Sequence, residues 1–324
     1  MRAVLVEKFG GPEVLTLTDL AAPEPGPGEV SIDVAYAGVN FAELKARSNG
    51  YRVASLPFLP GLEVSGRIRA VGDGVQNFQP GQQVAALTTA GGYAEVAVAP
   101  ARTVFALPES ISLRTGATLP TVLPTAHALV HEVGRLRAGD TVLVQGAAGG
   151  VGTVVGQLAH LAGAEAVYGV VSSAAKADHA LKFGYDEVFI GDDFDEDVYH
   201  ATGGLGVDLA LDSVGGDTFR RSLEALAPFG RLVSFGNASG AAPWQAGQTQ
   251  LYPGRSVAGF SVLTLAKTEP DVLRDLAARA FALVADGSVE LPVTAEFPLA
   301  EAAAAHRLLE SRGTTGKLLL RIAE

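Results

Sequence analysis

The sequence predicts an α/β chain in which a mostly β N-terminal lobe precedes a doubly wound parallel sheet. Three observations carry this. Residues 1–121 contain short extended runs ("RAVLVE", "EVSIDVAYAGV", "VSGRIRAVG") split by spacers such as "APEPGPG" and "GDG", the pattern of a β barrel or sandwich. Across residues 122–264, apolar strand candidates recur at 141–144, 166–171, 187–190, 207–211, 231–235 and 256–260. Helix-like segments such as "GTVVGQLAHLAGA" and "DTFRRSLEALAPFG" lie between several of them. Strands that are apolar throughout and alternate with helices imply right-handed crossovers and a sheet covered on both faces. Residues 265–324 supply an amphipathic helix with Pro270 near its start and Gly287 past its end, a second helix, and the strand "KLLLRI". That is too little for a third domain, so the segment is expected to return and complete the first lobe.

Composition narrows the function classes. At 324 residues the chain suits about two domains of ~100–200 residues each. With 48% hydrophobic and 18% charged residues and a mean hydropathy of +0.26, there is ample material for cores. No run approaches the ~18 consecutive apolar residues of a membrane span. A net charge of −11 without a Lys/Arg stripe argues against a phosphate-backbone partner. Zero cysteines exclude disulfides, thiolate nucleophiles and Cys-ligated zinc. The opening "MRAVLVEKFGG" lacks the order of a signal peptide, so a cytoplasmic protein is expected.

The stretch "DTVLVQGAAGGVGTVVGQLA" (residues 140–159) joins a strand to a helix through glycines. A helix N-terminus presents unpaired N–H groups and the positive end of its dipole, which suits the diphosphate of a dinucleotide. Gly149 and Gly150 leave room for it, and Gly152 lets helix and strand pack closely. Against G-x-G-x-x-G the aligned residues are Ala147, Gly149 and Gly152, a variant supported by its strand–turn–helix–strand context. After the next strand, "AVYGVV", no carboxylate awaits a ribose 2′-hydroxyl. Ser172, Ser173 and Lys176 stand there instead, a set suited to a 2′-phosphate, so NADPH is expected over NADH.

Several ordered motifs now point to one family. "GVNFAELKARSNGY", "LPFLPGLEVSGRIRAVGDGVQNFQPGQQVAAL", "GGYAEVAVAP", "AAGGVG", "VDLALDSVGG", "GRLVSFGNASG" and "GTTGKLLL" together resemble the zinc-free quinone oxidoreductase branch of the medium-chain dehydrogenase/reductase superfamily. The resemblance spans nearly the whole chain. It implies a GroES-like catalytic domain (1–121 and 265–324), a Rossmann NADPH-binding domain (122–264), and a cleft between them. It also implies a homodimer joined at the Rossmann sheet edge, through the segment around 256–262.

The resemblance assigns roles residue by residue. Asn40 and Thr125 are carried over as groups lining the nicotinamide side of the cleft. Ala148, Gly149, Gly150 and Val151 are expected at the diphosphate, with Ser172, Ser173, Lys176, Gly236 and Lys317 among the cofactor contacts. Tyr51, in "SNGY", is the candidate proton donor or pocket-shaping phenol, and Asn40 its catalytic neighbour. Glu43 stands where the family has Asp and receives no fixed role. Gly191 and an acidic run, read as a solvated loop, replace a Tyr near the adenine ribose. Asp212 and Ser213 are read as cofactor-loop structure, and Trp244 as bordering the cleft or the dimer edge.

No metal is expected. Leu62 precedes Glu63 where zinc-dependent members carry His. His127 and His131 share i, i+4 spacing, but Ala128 stands where a zincin needs Glu. Neither a G-x-S-x-G elbow nor a P-loop occurs. The expected function is hydride transfer from NADPH to a quinone or an α,β-unsaturated carbonyl compound. Two alternatives stay open on sequence alone: an enoyl-thioester reductase, for which Lys45, Arg47 and Arg52 would form a basic mouth if clustered, and a non-catalytic NADPH-binding redox sensor.

Overall fold

A computed structural model describes residues 1–242, 245 and 247–323. The chain divides into two compact units, Met1–Pro124 with Leu263–Glu324, and Thr125–Val262. In chain order the first unit opens with β1 (Arg2–Leu5), β2 (Thr16–Asp19), β3 (Glu29–Val39), α1 (Phe41–Asn49), β4 (Glu63–Val71), β5 (Gln83–Leu87), β6 (Val96–Pro100), β7 (Val104–Ala106), α2 (Leu113–Gly116) and α3 (Leu119–His127). The second unit holds β8 (Thr141–Gln145), α4 (Gly150–Leu161), β9 (Ala166–Val171), α5 (Ala174–Lys182), β10 (Glu187–Ile190), α6 (Phe194–Ala201), β11 (Val207–Asp212), α7 (Asp217–Glu224), β12 (Leu226–Ser234), α8 (Gln248–Leu251) and β13 (Ser256–Gly259). The chain then returns through α9 (Val262–Thr268), α10 (Pro270–Ala285), β14 (Val293–Pro298), α11 (Ala302–Glu310) and β15 (Lys317–Arg321).

The first unit is built on a sheet in the order β14-β15-β3-β4-β5-β7, with β6 also on β3. Alternation in β3 buries Val30, Ile32 and Val34 against Val64, Ile68, Leu318 and Leu320, while Asp33 between them stays exposed. β3 is antiparallel to both β4 and β15. Its C-terminal end therefore meets the N-terminal ends of both neighbours. The register pairs Val39 with Leu318 and Ala37 with Val64. Asn40, Glu63 and Lys317, distant in sequence, are thus delivered to one end of the sheet.

The second unit is a parallel sheet in the order β10-β9-β8-β11-β12-β13. Tyr168, Leu143, Ala210, Leu232 and Val257 align in register across it and belong to one core cluster. β8 and β11 are buried almost throughout, as expected for strands covered on both faces. The α/β architecture expected from the sequence is the one observed. One strand differs in extent: β12 begins at Leu226, five residues before the expected 231. The sequence placed "LAPFG" (226–230) in the helix-like segment before this strand, but the helix ends at Glu224. Phe229 adopts a left-handed φ of 66°, yet the strand runs through it, and the β11–β12 register shifts between Val207 and Leu209.

Candidate functional site

In the second unit, β8 runs into the glycine turn and α4 begins at Gly150, with Gly149 as its N-cap residue. The left-handed residue that the tight turn needs is Gly146 (φ 70°), one position before the motif's aligned Ala147. The N–H groups of Gly146 and Ala147 both bond the Val170 carbonyl, each at 3.1 Å, and tie the turn to β9. Ala147 is accommodated because β9 presents Gly169: a Cβ there would lie 2.8 Å from the Ala147 methyl. A Cβ on Gly152 would lie 2.4 Å from the Gly146 carbonyl oxygen and 2.6 Å from that of Ala147, so the close packing of strand and helix requires glycine. At Gly149 a Cβ would meet only the Gly146 oxygen, at 3.3 Å, and would otherwise fill the space over the turn. The first-turn N–H groups of Gly150, Val151 and Gly152 have no acceptor within the helix. With Ala148 buried beneath, the turn is shaped for an anion.

The next turn follows β9. Ser172 and Ser173 are exposed. Ser173 occupies the N-cap position of α5, but its hydroxyl makes no cap bond. Lys176 Nζ donates to Ser172 Oγ at 3.1 Å, which holds a cation and a hydroxyl side by side. Gly191 (φ 98°) packs its N–H on the Val171 carbonyl at 3.2 Å. The acidic run beyond it is not a solvated loop, as the sequence suggested. Its second half forms α6, and Asp193 and Asp195 pair with Arg221 of α7 at 3.3 and 2.7 Å.

β11 and β12 end in two loops that pack together. The Asp212 carboxylate, fully buried, accepts from the N–H groups of Val214 (3.1 Å) and Gly215 (2.9 Å). Burial pushes it up to about 6 against those two hydrogen bonds. The N–H groups of Ala238 and Ser239 bond the carbonyls of Ser213 and Val214. At Gly236 a Cβ would lie 2.7 Å from the Ser213 oxygen. All these turns lie at the carboxyl ends of parallel strands, where open α/β sheets bind ligands. Thr125 is buried in this unit. Trp244 lies outside the described residues.

His127 is buried and His131 exposed. Their ring centroids are 4.6 Å apart across a π-helical turn at Ala128–Glu132. Among the described residues no group of three or more His, Asp or Glu could hold a metal ion, and no helix is long and apolar enough to cross a membrane.

In the first unit, Asn40 sits in a dense polar cluster. Its Nδ2 donates to Glu63 Oε1 at 2.9 Å and to Glu43 Oε1 at 3.3 Å. Its Oδ1 accepts from Thr121 Oγ1 at 3.1 Å and from the Lys317 ammonium. Lys317 also pairs with Glu63 at 2.5 Å, and both are buried. Glu63 Oε2 accepts from Thr121 N (2.9 Å) and Oγ1 (2.7 Å). Gly38 makes room for this carboxylate: a Cβ there would lie 2.2 Å from Glu63 Oε1. Both N–H donors of the Asn40 amide and its oxygen are engaged by protein, and the Lys317 ammonium faces inward to Glu63 and Asn40. Glu43, given no role from sequence, accepts from Leu62 N at 3.0 Å. Its carboxyl is pushed up to about 7, by burial first, with Lys317 opposing and Glu63 reinforcing.

Below this cluster Arg47, also buried, pairs with Glu310 of α11. Tyr93 Oη lies 3.2 Å from His306 Nε2, and His306 is pushed down to about 3 by burial and then by the Arg47 charge. Arg47 therefore cannot join Lys45 and Arg52 in a basic mouth. Tyr51, by contrast, is 44% exposed, just past the C-cap of α1.

Comparison with known proteins places the chain. Residues 26–109 match the alcohol dehydrogenase GroES-like domain, and residues 183–320 match the family described as zinc-binding dehydrogenase. A parallel sheet with a glycine turn, joined to a GroES-like unit, defines the class of medium-chain dehydrogenases/reductases. A probable quinone oxidoreductase of Schizosaccharomyces pombe is 36% identical over 98% of this chain and 96% of its own. A 2-haloacrylate reductase of a Burkholderia species is 32% identical over 98% of each. The Escherichia coli quinone oxidoreductase, solved in complex with NADPH, superposes with a TM-score of 0.93 at 33% identity, covering 99% of this chain and 100% of the other. Within that class, the chain belongs to the quinone oxidoreductase family.

Proposed function

We propose that this protein is an NADPH-dependent, zinc-free oxidoreductase that delivers hydride to quinones or to α,β-unsaturated carbonyl compounds. The observation that carries the reading is the pairing of the open helix N-terminus at Gly149 and Gly150 with the Ser172–Lys176 contact at the end of the next strand. The first would hold a diphosphate and the second a 2′-phosphate, with Ser173 beside it; Ala148, Val151 and Gly236 would shape the surrounding turns. Bound there, NADPH would supply the hydride. Relatives named as quinone oxidoreductases and as a 2-haloacrylate reductase support both acceptor classes.

The chain's own residues would position the acceptor and provide the proton. Reduction adds a hydride and a proton to the acceptor. In our reading the O–H bond of Tyr51 breaks as the new bond to hydrogen forms, and the exposed phenolate then takes a proton back from water. Asn40 would act as the rigid corner of the first unit's polar cluster, and Lys317 would reach the reaction only through Asn40 and Glu63. Thr125, buried in the second unit, would line the nicotinamide. We further propose a homodimer that pairs two copies of the edge strand β13.

The test follows oxidation of reduced nicotinamide by wild type and Tyr51→Phe, each given a simple quinone and a 2-enoyl thioester. Quinone or enone turnover is expected, with enone reduction falling about a hundredfold in Tyr51→Phe, the usual loss for a general acid. A preference for the thioester would make the protein an enoyl reductase. Tight NADPH binding without turnover of any acceptor would make it a sensor.

A further inference from the structure

Tyr51 does not stand alone. Gly50 ends α1 in the left-handed region (φ 77°), and its N–H bonds the carbonyls of Ala46 and Lys45. The Tyr51 N–H bonds Asn49 Oδ1 at 3.2 Å. Arg52 then takes a left-handed φ of 59°, a conformation that side chains with a Cβ adopt rarely. The result is a reversal that folds the Arg52 side chain back over Tyr51. Its Nε donates to Tyr51 Oη at 3.2 Å. Its guanidinium carbon lies 5.6 Å from the ring centroid, and Nη2 donates to Thr264 Oγ1 of α9 at 2.9 Å.

We infer that Arg52, braced by Thr264, is a positioning residue for the Tyr51 hydroxyl. The inference rests on the reading of Tyr51 as the proton donor. A phenol has one hydrogen to give and lone pairs to receive. With Arg52 Nε donating to the oxygen, the hydroxyl hydrogen is left to point away from Arg52. When that proton departs, the charge left on the oxygen already has a guanidinium in contact, so no reorganisation is needed. A planar guanidinium can bond the phenol through Nε and Thr264 through Nη2 at once. A lysine ammonium, a point charge on a flexible stem, cannot reproduce that fork.

The experiment is a double-mutant cycle on an enone acceptor, using Tyr51→Phe, Arg52→Gln and the pair, with Arg52→Lys and Thr264→Val as graded variants. NADPH binding by fluorescence titration and thermal melting are measured alongside. Arg52→Gln is expected to lower kcat about tenfold in the wild-type background and to change nothing further in Tyr51→Phe, as for groups acting as one unit. Arg52→Lys should recover only part of the loss, and Thr264→Val should show a smaller loss of the same kind. NADPH affinity and melting temperature should stay unchanged. If Tyr51→Phe is impaired while Arg52→Gln is not, the inference falls and the function stands. An equal loss on adding Arg52→Gln to Tyr51→Phe would mean that Arg52 acts on the acceptor directly, which also overturns it. If Tyr51→Phe itself has no effect, the proton-donor reading falls first and takes the inference with it.

Discussion

Glu43 and Glu63 are two buried carboxylates facing one buried ammonium, Lys317. Glu63 takes the ammonium directly, and Glu43 is left with two N–H donors and the repulsion of Glu63. Neutral Glu43 is the economical solution, because an unpaired buried charge is far costlier than a buried carboxylic acid. A folded value near 7 against an ordinary 4.5 means that the folded state keeps a proton which the unfolded chain releases. Stability from this group is therefore present below about 4.5 and is lost as pH rises toward 7, by about 3 kcal/mol in all. His306 works in the opposite sense: its folded value near 3 means that stability is lost as pH falls below about 6.5. Comparing wild type with Glu43→Gln cancels the His306 contribution. In urea titrations at pH 5 and pH 8, the stability of wild type relative to the variant should drop by about 2–3 kcal/mol, since part of the total is already lost at pH 5; parallel behaviour would mean that Glu43 is ionised in the fold. At this scale the sequence was least legible. Asn40, Glu63 and Lys317 are ordinary residues in isolation, and only the antiparallel register of β3 with β4 and β15 brings them together. Tyr51 was singled out through its motif, whereas Arg52, which contacts it, was visible only as one cation among several.

The glycine turn shows what a motif conveys and what it conceals. Position by position, the pattern marked Ala147 as a missing glycine. The structure moves the left-handed requirement to Gly146 and relieves the Ala147 methyl through Gly169, a residue of the neighbouring strand that no local pattern could flag. Gly152 and Gly149 should respond differently to alanine. At Gly152 the new methyl would meet two backbone oxygens closer than 3.0 Å, and the backbone cannot yield as a flexible side chain would. Gly152→Ala is expected to destabilise by about 3 kcal/mol, an overpacking cost, with a lower melting temperature even without cofactor. Gly149→Ala should melt within a degree or two of wild type and instead weaken NADPH binding about tenfold or more, by placing a methyl over the N–H groups that face the anion. Thermal melts and fluorescence titrations of both variants check this, and equal melting losses would contradict it. The strands from 166–171 and 187–190 were legible to the residue because they are short apolar runs between turn signals. β12 was read short because residues 226–230 continue the apolar spacing of the helix before them and were read with it; pairing with β11 draws them into the strand instead.

At the level of the whole chain, the second unit is one continuous segment, while the first is assembled from two segments that flank it. A continuous unit with its own core satisfies the conditions for independent folding. A fragment of residues 125–262 is therefore expected to unfold cooperatively in urea and to give a dispersed amide NMR spectrum. A fragment of residues 1–124 should do neither, because its sheet lacks both β14 and β15, leaving that side of β3 unpaired. A non-cooperative 125–262 fragment would show that its core depends on the remainder. The mixed α/β architecture was legible because hydrophobic periodicity changes sharply along the sequence. The position of β15 has a consequence for synthesis. The ammonium that holds Asn40 lies 277 residues downstream of it, so at ~5–20 residues per second the nascent chain waits tens of seconds between the two. For that interval the emerging Glu63 has no cation to meet, while the whole continuous unit can leave the ribosome and fold. The charged corner therefore waits on a residue made long after Asn40 and Glu63, and a product truncated before Lys317 would leave Glu63 without the cation it pairs with.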